Sequence, residues 1–385
     1  MLARGCAVNV LTVNAGSSSL RLAVFAAMDE TCSLLASGHF SDVRDDPAEI
    51  LRVFLKDHGI EEVTVVAHRV VHGGSRLTAS CALDDKVEAE IERLIPLAPL
   101  HNPPALAGIR ACRMLFGADV PQVAVFDTAF YADLPEAART YAIPYDLAHK
   151  HGLRRYGFHG IAHCALWRRW RALRPEVPEG GHVISLQLGA GCSMTAVERG
   201  EPRDTSMGFS PLEGLMMATR GGDMDPGVIT YLQRREAFSL EVIERLLYHN
   251  CGLQGVAGES DMRRLLARED AEARLAVEMY CHRARKYLGA YLAVLGGADA
   301  ILFGGGVGEN APFVREKILA NMEWAGIALD TQANRAVVGT EACISKPVSR
   351  TEIWVIPVDE AAILAQEAVA VTRPRESIGR KGNKS

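Results

Sequence analysis

The apolar positions of this chain fall into two rhythms. Residues 8–13, 20–25, 63–71, 123–126, 183–188, 194–197, 300–303 and 352–357 form short runs rich in Val, Ile and Leu, each closing on a polar or glycine-containing stretch, and they predict strands. Residues 86–94, 163–173, 240–247 and 271–295 carry apolar side chains at helical spacing, and a further helix is expected after residue 358. Strands alternating with helices indicate an α/β fold, whose ligands sit beyond the carboxyl ends of strands.

Two of the predicted hairpins look alike. One encloses Asn14-Ala15-Gly16-Ser17-Ser18, the other Gly189-Ala190-Gly191-Cys192-Ser193, and Ala15-Gly16-Ser17-Ser18 can be aligned with Ala190-Gly191-Cys192-Ser193. One such hairpin near the start of each half is expected of a duplicated unit, with two lobes facing across a cleft; two unrelated hairpins sharing a turn composition would look the same. The length of 385 residues, too great for one comfortable core, also favours two lobes.

Composition narrows the class. Hydrophobic residues at 48% and charged residues at 23% describe a soluble globular protein. A formal net charge of -5 leaves no basic footprint for nucleic acid, and Arg380, Lys381 and Lys384 are expected to form only a solvated tail. No apolar stretch approaches the roughly 20 residues of a membrane span, so no membrane partner is expected. Nine cysteines, odd in number and never spaced as CxxC, argue for reduced thiols in the cytoplasm.

Three small-residue loops, at 14–19, 189–193 and 304–310, each follow an apolar run. Backbone N–H groups in such turns can converge on phosphate oxygens. No GxxxxGK[ST] string is present and the 189–194 segment lacks the third glycine of a dinucleotide fingerprint, so charge for phosphate binding must come from Arg, His and a metal ion.

Longer strings are more specific. Asn14-Ala15-Gly16-Ser17-Ser18-Ser19-Leu20, His68-Arg69-Val70-Val71-His72-Gly73-Gly74, Phe126-Asp127-Thr128-Ala129-Phe130, Tyr156-Gly157-Phe158-His159-Gly160, Thr205-Ser206-Met207-Gly208-Phe209-Ser210-Pro211-Leu212-Glu213-Gly214 and Gly306-Val307-Gly308-Glu309-Asn310 resemble, in order and over nearly the whole chain, the motifs of the acetate kinase family. The resemblance implies the duplicated, two-lobed ribonuclease H-like (actin-like ATPase) fold of the acetate and sugar kinase, Hsp70 and actin superfamily. It places one lobe at 1–148, joined by a terminal helix at 358–385, and the nucleotide-binding and dimerisation lobe at 149–357. The implied activity is reversible, magnesium-dependent phosphoryl transfer from ATP to acetate, giving acetyl phosphate and ADP by direct in-line transfer. A cytoplasmic homodimer is the implied assembly, and manganese could replace magnesium.

Site residues follow from the same resemblance. Asp127, His159 and Arg220 form the implied catalytic set. Arg69 and Arg220 would hold the acyl carboxylate and the moving phosphoryl group, for which a guanidinium fork is well shaped. His159 would stabilise the equatorial oxygens. Asp127 is the family's usual proton donor or acceptor; because a carboxylate acceptor with a pKa of about 4 has no proton to lose at neutral pH, positioning is the expected role here. Val71, Leu100, Phe158 and Pro211 would form the pocket for the acyl methyl group, which discriminates one methylene by only about 1–3 kcal/mol. Arg21 would touch ATP phosphates. Gln187, Leu188, Gly189, Ala190 and Gly191, then Asp261, Met262 and Arg263, then Gly306, Val307, Gly308, Glu309 and Asn310, would bind the nucleotide, and Asn14 and Glu360 the magnesium ion.

Some positions depart from the pattern or admit plainer readings. Gln187-Leu188-Gly189-Ala190-Gly191 stands where the family usually reads His-Leu-Gly-Asn-Gly, Ile161-Ala162 replaces Thr-Ser, and Tyr131 replaces a common His. These changes motivate a catalytically silent nucleotide-binding relative as one alternative; a propionate or butyrate kinase is another. His159 and His163 have the spacing of a helical metal pair, but Gly160 occupies the glutamate position of HExxH and no third ligand is apparent. His72 and His101 are expected to be structural. Asp261 and Arg263 would also fit a helix start capped by Ser260.

Overall fold

The computed structural model describes residues 8–16, 19–28, 31–41 and 46–373; Ser17, Ser18, Arg380, Lys381 and Lys384 lie outside them. Packing divides the chain into two compact units, the described residues up to Phe126 with those from Ala361 onward, and Asp127–Glu360. The division falls at 126/127 rather than at the expected 148/149. Residues 127–148 pack with the second unit, through Tyr131 Oη donating to Phe158 O (2.9 Å) and Arg155 Nε donating to Ala138 O (3.2 Å).

In the first unit, β1 (Val8–Ala15), β2 (Ser19–Met28), β3 (Thr31–Ser41), β4 (Val65–Val70), β5 (Cys81–Ala82) and β6 (Gln122–Phe126) form one sheet in the order β3-β2-β1-β4-β6-β5. In the second, β7 (His182–Leu188), β8 (Cys192–Glu198), β9 (Glu201–Thr205), β10 (Ala300–Gly304), β11 (Ala342–Cys343) and β12 (Glu352–Val355) run β9-β8-β7-β10-β12-β11. The pairing senses also correspond. β1, β2 and β3 are antiparallel neighbours, as are β7, β8 and β9; β4 and β6 run parallel to β1, as β10 and β12 do to β7; β5 and β11 are antiparallel edges. The chain therefore holds two copies of one α/β architecture.

Register refines the expected alignment. The last hairpin pairs are Ala15–Leu20 and Leu188–Cys192, and both copies bulge at the same distance beyond them, at Val24/Phe25 and Ala196/Val197. Ala15 is thus level with Leu188, two residues before Ala190, and the second turn is one residue shorter. By the same register Arg69 is level with Gly304, and Asp127 with Val358. The copies diverge in chemistry just where their strands end.

Each sheet has its own core. Leu11, Val13, Leu22, Val24, Leu51, Phe54 and Cys112 pack together in the first unit, and Leu166, Trp170, Val183, Val197, Ala300 and Leu302 in the second. The predicted helix at 271–295 is observed as Ala271–Leu295, and that at 163–173 begins earlier, as Gly160–Leu173. Residues 305–310, expected as a loop, form a short helix, Gly305–Asn310. The fully buried Arg315 holds its C-terminal end by donating to Gly308 O (2.7 Å) and Glu309 O (3.0 Å).

Candidate active site

In the second unit two of the recognised strings pack against each other. Phe126 ends β6 and leads into a 3-10 turn, Asp127–Tyr131, whose side chains meet the segment 156–160. Gly157 has φ +74°, and a Cβ there would lie 2.4 Å from the Tyr131 ring; a Cβ on Gly160 would lie 2.0 Å from Asp127 O. Both glycines are required by close approach. Between them His159 adopts a left-handed conformation (φ 56°, ψ 26°) and opens helix Gly160–Leu173. A non-glycine residue held there carries strain, which is often concentrated at functional sites.

The His159 ring is held by Nδ1 to Ser193 Oγ at 2.9 Å. Asp127 is fully buried at the N-terminus of the same helix, where its Oδ1 accepts from Ile161 N at 3.5 Å. A helix N-terminus stabilises a carboxylate. Tyr131, at the position where a His is common, is buried and bonds Phe158 O and Thr195 Oγ1 (3.0 Å), so it anchors the backbone immediately before His159.

Arg220 reaches the same place from the 206–223 segment. Its Nη1 donates to Pro211 O at 2.8 Å, and burial pushes its guanidinium down from the ordinary value. The point of convergence is Gly191: a Cβ there would lie 2.6 Å from Arg220 Nη2 and 3.2 Å from His159 Cε1. Ala190 is tied to this loop through Ala218 N, which donates to its carbonyl at 3.0 Å. Gly191→Ala is expected to push the Arg220 guanidinium, the end of a long side chain, aside without disturbing backbone, lowering kcat roughly 100-fold, the scale of a 1 Å misplacement, while the melting temperature stays within about 2 °C of wild type. Steady-state kinetics and thermal melting check both halves.

The 206–223 segment lacks regular structure and depends on side chains. Arg155 donates to Thr205 O (3.0 Å), Ser206 O (3.4 Å) and Met207 O (3.2 Å) and pairs with Glu213 Oε1 (2.6 Å); Tyr141 bonds Glu213 and accepts from Phe209 N (2.8 Å). Arg155 and Tyr141 were missed by sequence reasoning, since isolated Arg and Tyr residues give no signal until the loop they clamp is seen. Ser193 and His163 were missed as partners of His159 for the same reason.

The nucleotide candidates assemble in part. Gln187 is the β7 partner of Gly304 in the parallel β7–β10 pair, and Gly305 (φ +77°) would place a Cβ 2.7 Å from Leu188 O, so 187–191 and 304–310 adjoin. Gln187 Oε1 is buried without a hydrogen-bond partner. Glu309 turns its carboxylate inward, Oε1 accepting from Gly305 N (2.8 Å) and Val358 N (3.1 Å), and Asn310 Nδ2 donates to Gly306 O (2.9 Å); both stabilise the glycine helix. Asp261, rather than Ser260, caps helix Met262–Leu266, accepting from Arg263 N (2.8 Å) and from the Arg263 guanidinium (2.6 Å). Met262 is core.

In the first unit Asn14 and Arg21 face each other in the β1–β2 register, and Arg69 Nη1 donates to Asn14 Oδ1 at 3.2 Å. Val71 is buried and Leu100 is 38% exposed. The following loop is pinned by buried Asn102, which accepts from His72 N (3.3 Å) and donates to His72 O (3.2 Å); burial pushes His72 down to about 4, as befits a structural histidine. Phe158 and Pro211, the other proposed pocket residues, belong to the second unit, and Glu360 opens the terminal helix Glu360–Thr372.

Comparison with known proteins agrees with these strings. The profile of the acetokinase family matches residues 45–366. An acetate kinase of Solibacter usitatus is 42% identical over 404 residues, covering 94% of this chain and 98% of that protein; one of Chloroherpeton thalassium is 47% identical, covering 82% and 78%. Among solved structures, Porphyromonas gingivalis acetate kinase superposes with a TM-score of 0.87 at 36% identity, covering 95% of this chain and all (100%) of that one, and a propionate kinase from Francisella tularensis with 0.85 at 34%, covering 94% and 100%. With the family's strings in order and its architecture reproduced over nearly the full length, this chain belongs to the acetokinase family.

Proposed function

We propose that this protein is an acetate kinase, transferring the γ-phosphoryl group of ATP to acetate and running in reverse from acetyl phosphate and ADP. The observation that carries the reading is the convergence of Arg220 and His159 on Gly191, two donors aimed at one point beside a small-residue turn. Such a pair can stabilise the charge that spreads over a transferring phosphoryl group. A carboxylate oxygen of acetate forms the new P–O bond while the bond to the β–γ bridging oxygen breaks, and ADP leaves with those electrons. No proton moves, because acetate is already ionised at neutral pH.

Arg69 takes the acceptor carboxylate, Val71, Leu100, Phe158 and Pro211 the methyl group, and Asp127 positions the cationic groups. Residues 187–191 and 306–310 serve the nucleotide, with Glu309 shaping the loop, and Arg21 and Asp261, Met262 and Arg263 complete its contacts. Magnesium comes with the nucleotide; Asn14 and Glu360 are hard oxygen donors suited to it. Among the described residues no group of three or more His, Cys, Asp and Glu could hold a metal ion, so most of the ion's shell would be phosphate and water. Bound there, magnesium neutralises phosphate charge.

A homodimer is supported by apolar side chains left exposed on two helices: Val228 and Tyr231 on Pro226–Glu236, which buries no residue, and Leu240 and Val242 on Leu240–His249. Among the described residues no cysteine forms a disulfide, which fits a reducing cytoplasm, and no helix is long and apolar enough to cross a membrane.

Hydroxylamine-trapped acyl phosphate, formed from ATP, magnesium and acetate, propionate or butyrate, tests the reading. Acetate should give the highest kcat/KM, with propionate lower by roughly 10-fold, the size of a one-methylene effect. A preference for propionate or butyrate would reassign the acceptor. No product from any acid would leave a silent nucleotide-binding relative.

A further inference from the structure

The sheet face beneath helix Gly160–Leu173 changes character along its length. Toward the helix C-terminus Trp170 and Leu166 pack on Val183 and Val197; toward its N-terminus the same face of β7 and β8 carries Ser185, Ser193 and Thr195, all fully buried, against the fully buried His163. These groups form one chain of hydrogen bonds. His159 Nδ1 meets Ser193 Oγ at 2.9 Å, Ser193 Oγ meets His163 Nε2 at 2.7 Å, His163 Nδ1 meets Ser185 Oγ at 2.7 Å, and Ser185 Oγ lies 3.5 Å from Thr195 O.

The end of the chain sets its direction. A carbonyl oxygen only accepts, so Ser185 donates to Thr195 O and accepts from His163 Nδ1–H. Burial, with the nearby His159, pushes His163 down to about 3, so its ring is neutral and carries a single N–H. Its Nε2 therefore accepts the Ser193 hydroxyl proton. Ser193 then offers only lone pairs to His159, whose Nδ1 must donate. A ring with a proton on Nδ1 can also donate from Nε2 only as an imidazolium.

We infer that Ser193 and His163, closed off by Ser185, are positioning residues for phosphoryl transfer: they hold the His159 ring and fix its Nδ1 as a donor, so that His159 meets the moving phosphoryl group as an imidazolium. The inference rests on the role proposed above for His159. Arg220 from the 206–223 segment stands beside that ring at Gly191, His163 reaches it through Ser193, and Asp127 acts on His163. His163, being neutral, adds no charge against the imidazolium. The kcat should therefore fall as pH rises through the His159 pKa.

Two measurements test the chain. In the substrate-free wild-type protein, ¹⁵N NMR of labelled histidines should show His163 neutral at pH 6–8 with its proton on Nδ1; a proton on Nε2 would overturn the inference. That readout does not depend on turnover, so it stands apart from any failure of the proposed activity. In Ser193→Ala, kcat should drop roughly 10–100-fold, the usual effect of removing the partner of a functional histidine, with both KM values within about threefold of wild type. The alkaline limb of kcat should move down by roughly one pH unit, because the imidazolium loses an acceptor. Ser193→Thr, which keeps the hydroxyl, should recover most of the loss. Wild-type kcat and an unmoved alkaline limb in Ser193→Ala would sink the idea.

Discussion

Arg220→Ala should lower kcat by about 10³-fold or more, the effect typical of removing an arginine that stabilises a phosphoryl transition state. The guanidinium is partly buried, its Nη1 is anchored on Pro211 O at 2.8 Å, and its Nη2 faces Gly191 beside the His159 ring. It therefore meets charge in a site where solvent screens poorly, which is where a fixed cation contributes most. Little of the loss should appear in KM, since the interaction strengthens as charge develops in transfer. Arg220→Lys should rescue poorly, because an ammonium cannot hold the Pro211 carbonyl and present a second donor in the same plane. A kcat within tenfold of wild type in Arg220→Ala would remove this residue from the proposed chemistry.

Gly160→Ala should cost both stability and activity. The added Cβ would lie 2.0 Å from Asp127 O and 2.7 Å from Phe130 Cβ, and neither is the end of a flexible side chain. The 3-10 turn or the helix must move. Overpacking of this kind costs about 3 kcal/mol, which lowers the melting temperature by roughly 6–12 °C. Because Asp127 and His159 lie on the two segments forced apart, kcat should fall about 100-fold or more even where the protein remains folded. Gly289→Ala is the control: it sits inside helix Ala271–Leu295 with nothing within 4 Å of the new Cβ, and should be stabilising by up to about 1 kcal/mol. Equal melting temperatures for Gly160→Ala and wild type would contradict the packing described here.

Gly191→Ala and Gly160→Ala thus separate two uses of glycine that look alike in a motif. At Gly191 the crowded atom ends a long side chain, so function should suffer alone; at Gly160 it is backbone, so fold and function should suffer together.

Most of the strands and the longest helix were legible from the chain because their signals are local, whereas strand Thr31–Ser41 and helix Asn102–Phe116 were not predicted. The apolar run at 183–188 and the helical spacing in 271–295 are signals of burial carried by neighbouring residues, and both appear as expected, as His182–Leu188 and Ala271–Leu295. The glycine-rich 304–310 segment was less legible: its composition suggests a loop, and it becomes a helix because Arg315, Glu309 and Asn310 satisfy its termini and backbone. Duplication was visible only as a shared turn, and the alignment drawn from that turn was displaced; strand order and the matching bulges were needed to correct it.

By itself the sequence determined the α/β class and the family and named the candidates for the phosphoryl chemistry, since these depend on residue types in local strings. Tertiary structure alone decided that Tyr131 supports Phe158, that Arg155 gathers three carbonyls, and that His163 and His159 share Ser193 as a hydrogen-bond partner. Those pairings join residues distant in sequence whose types are individually unremarked, and a buried polar group acquires its role only from the partner that folding places within hydrogen-bond reach.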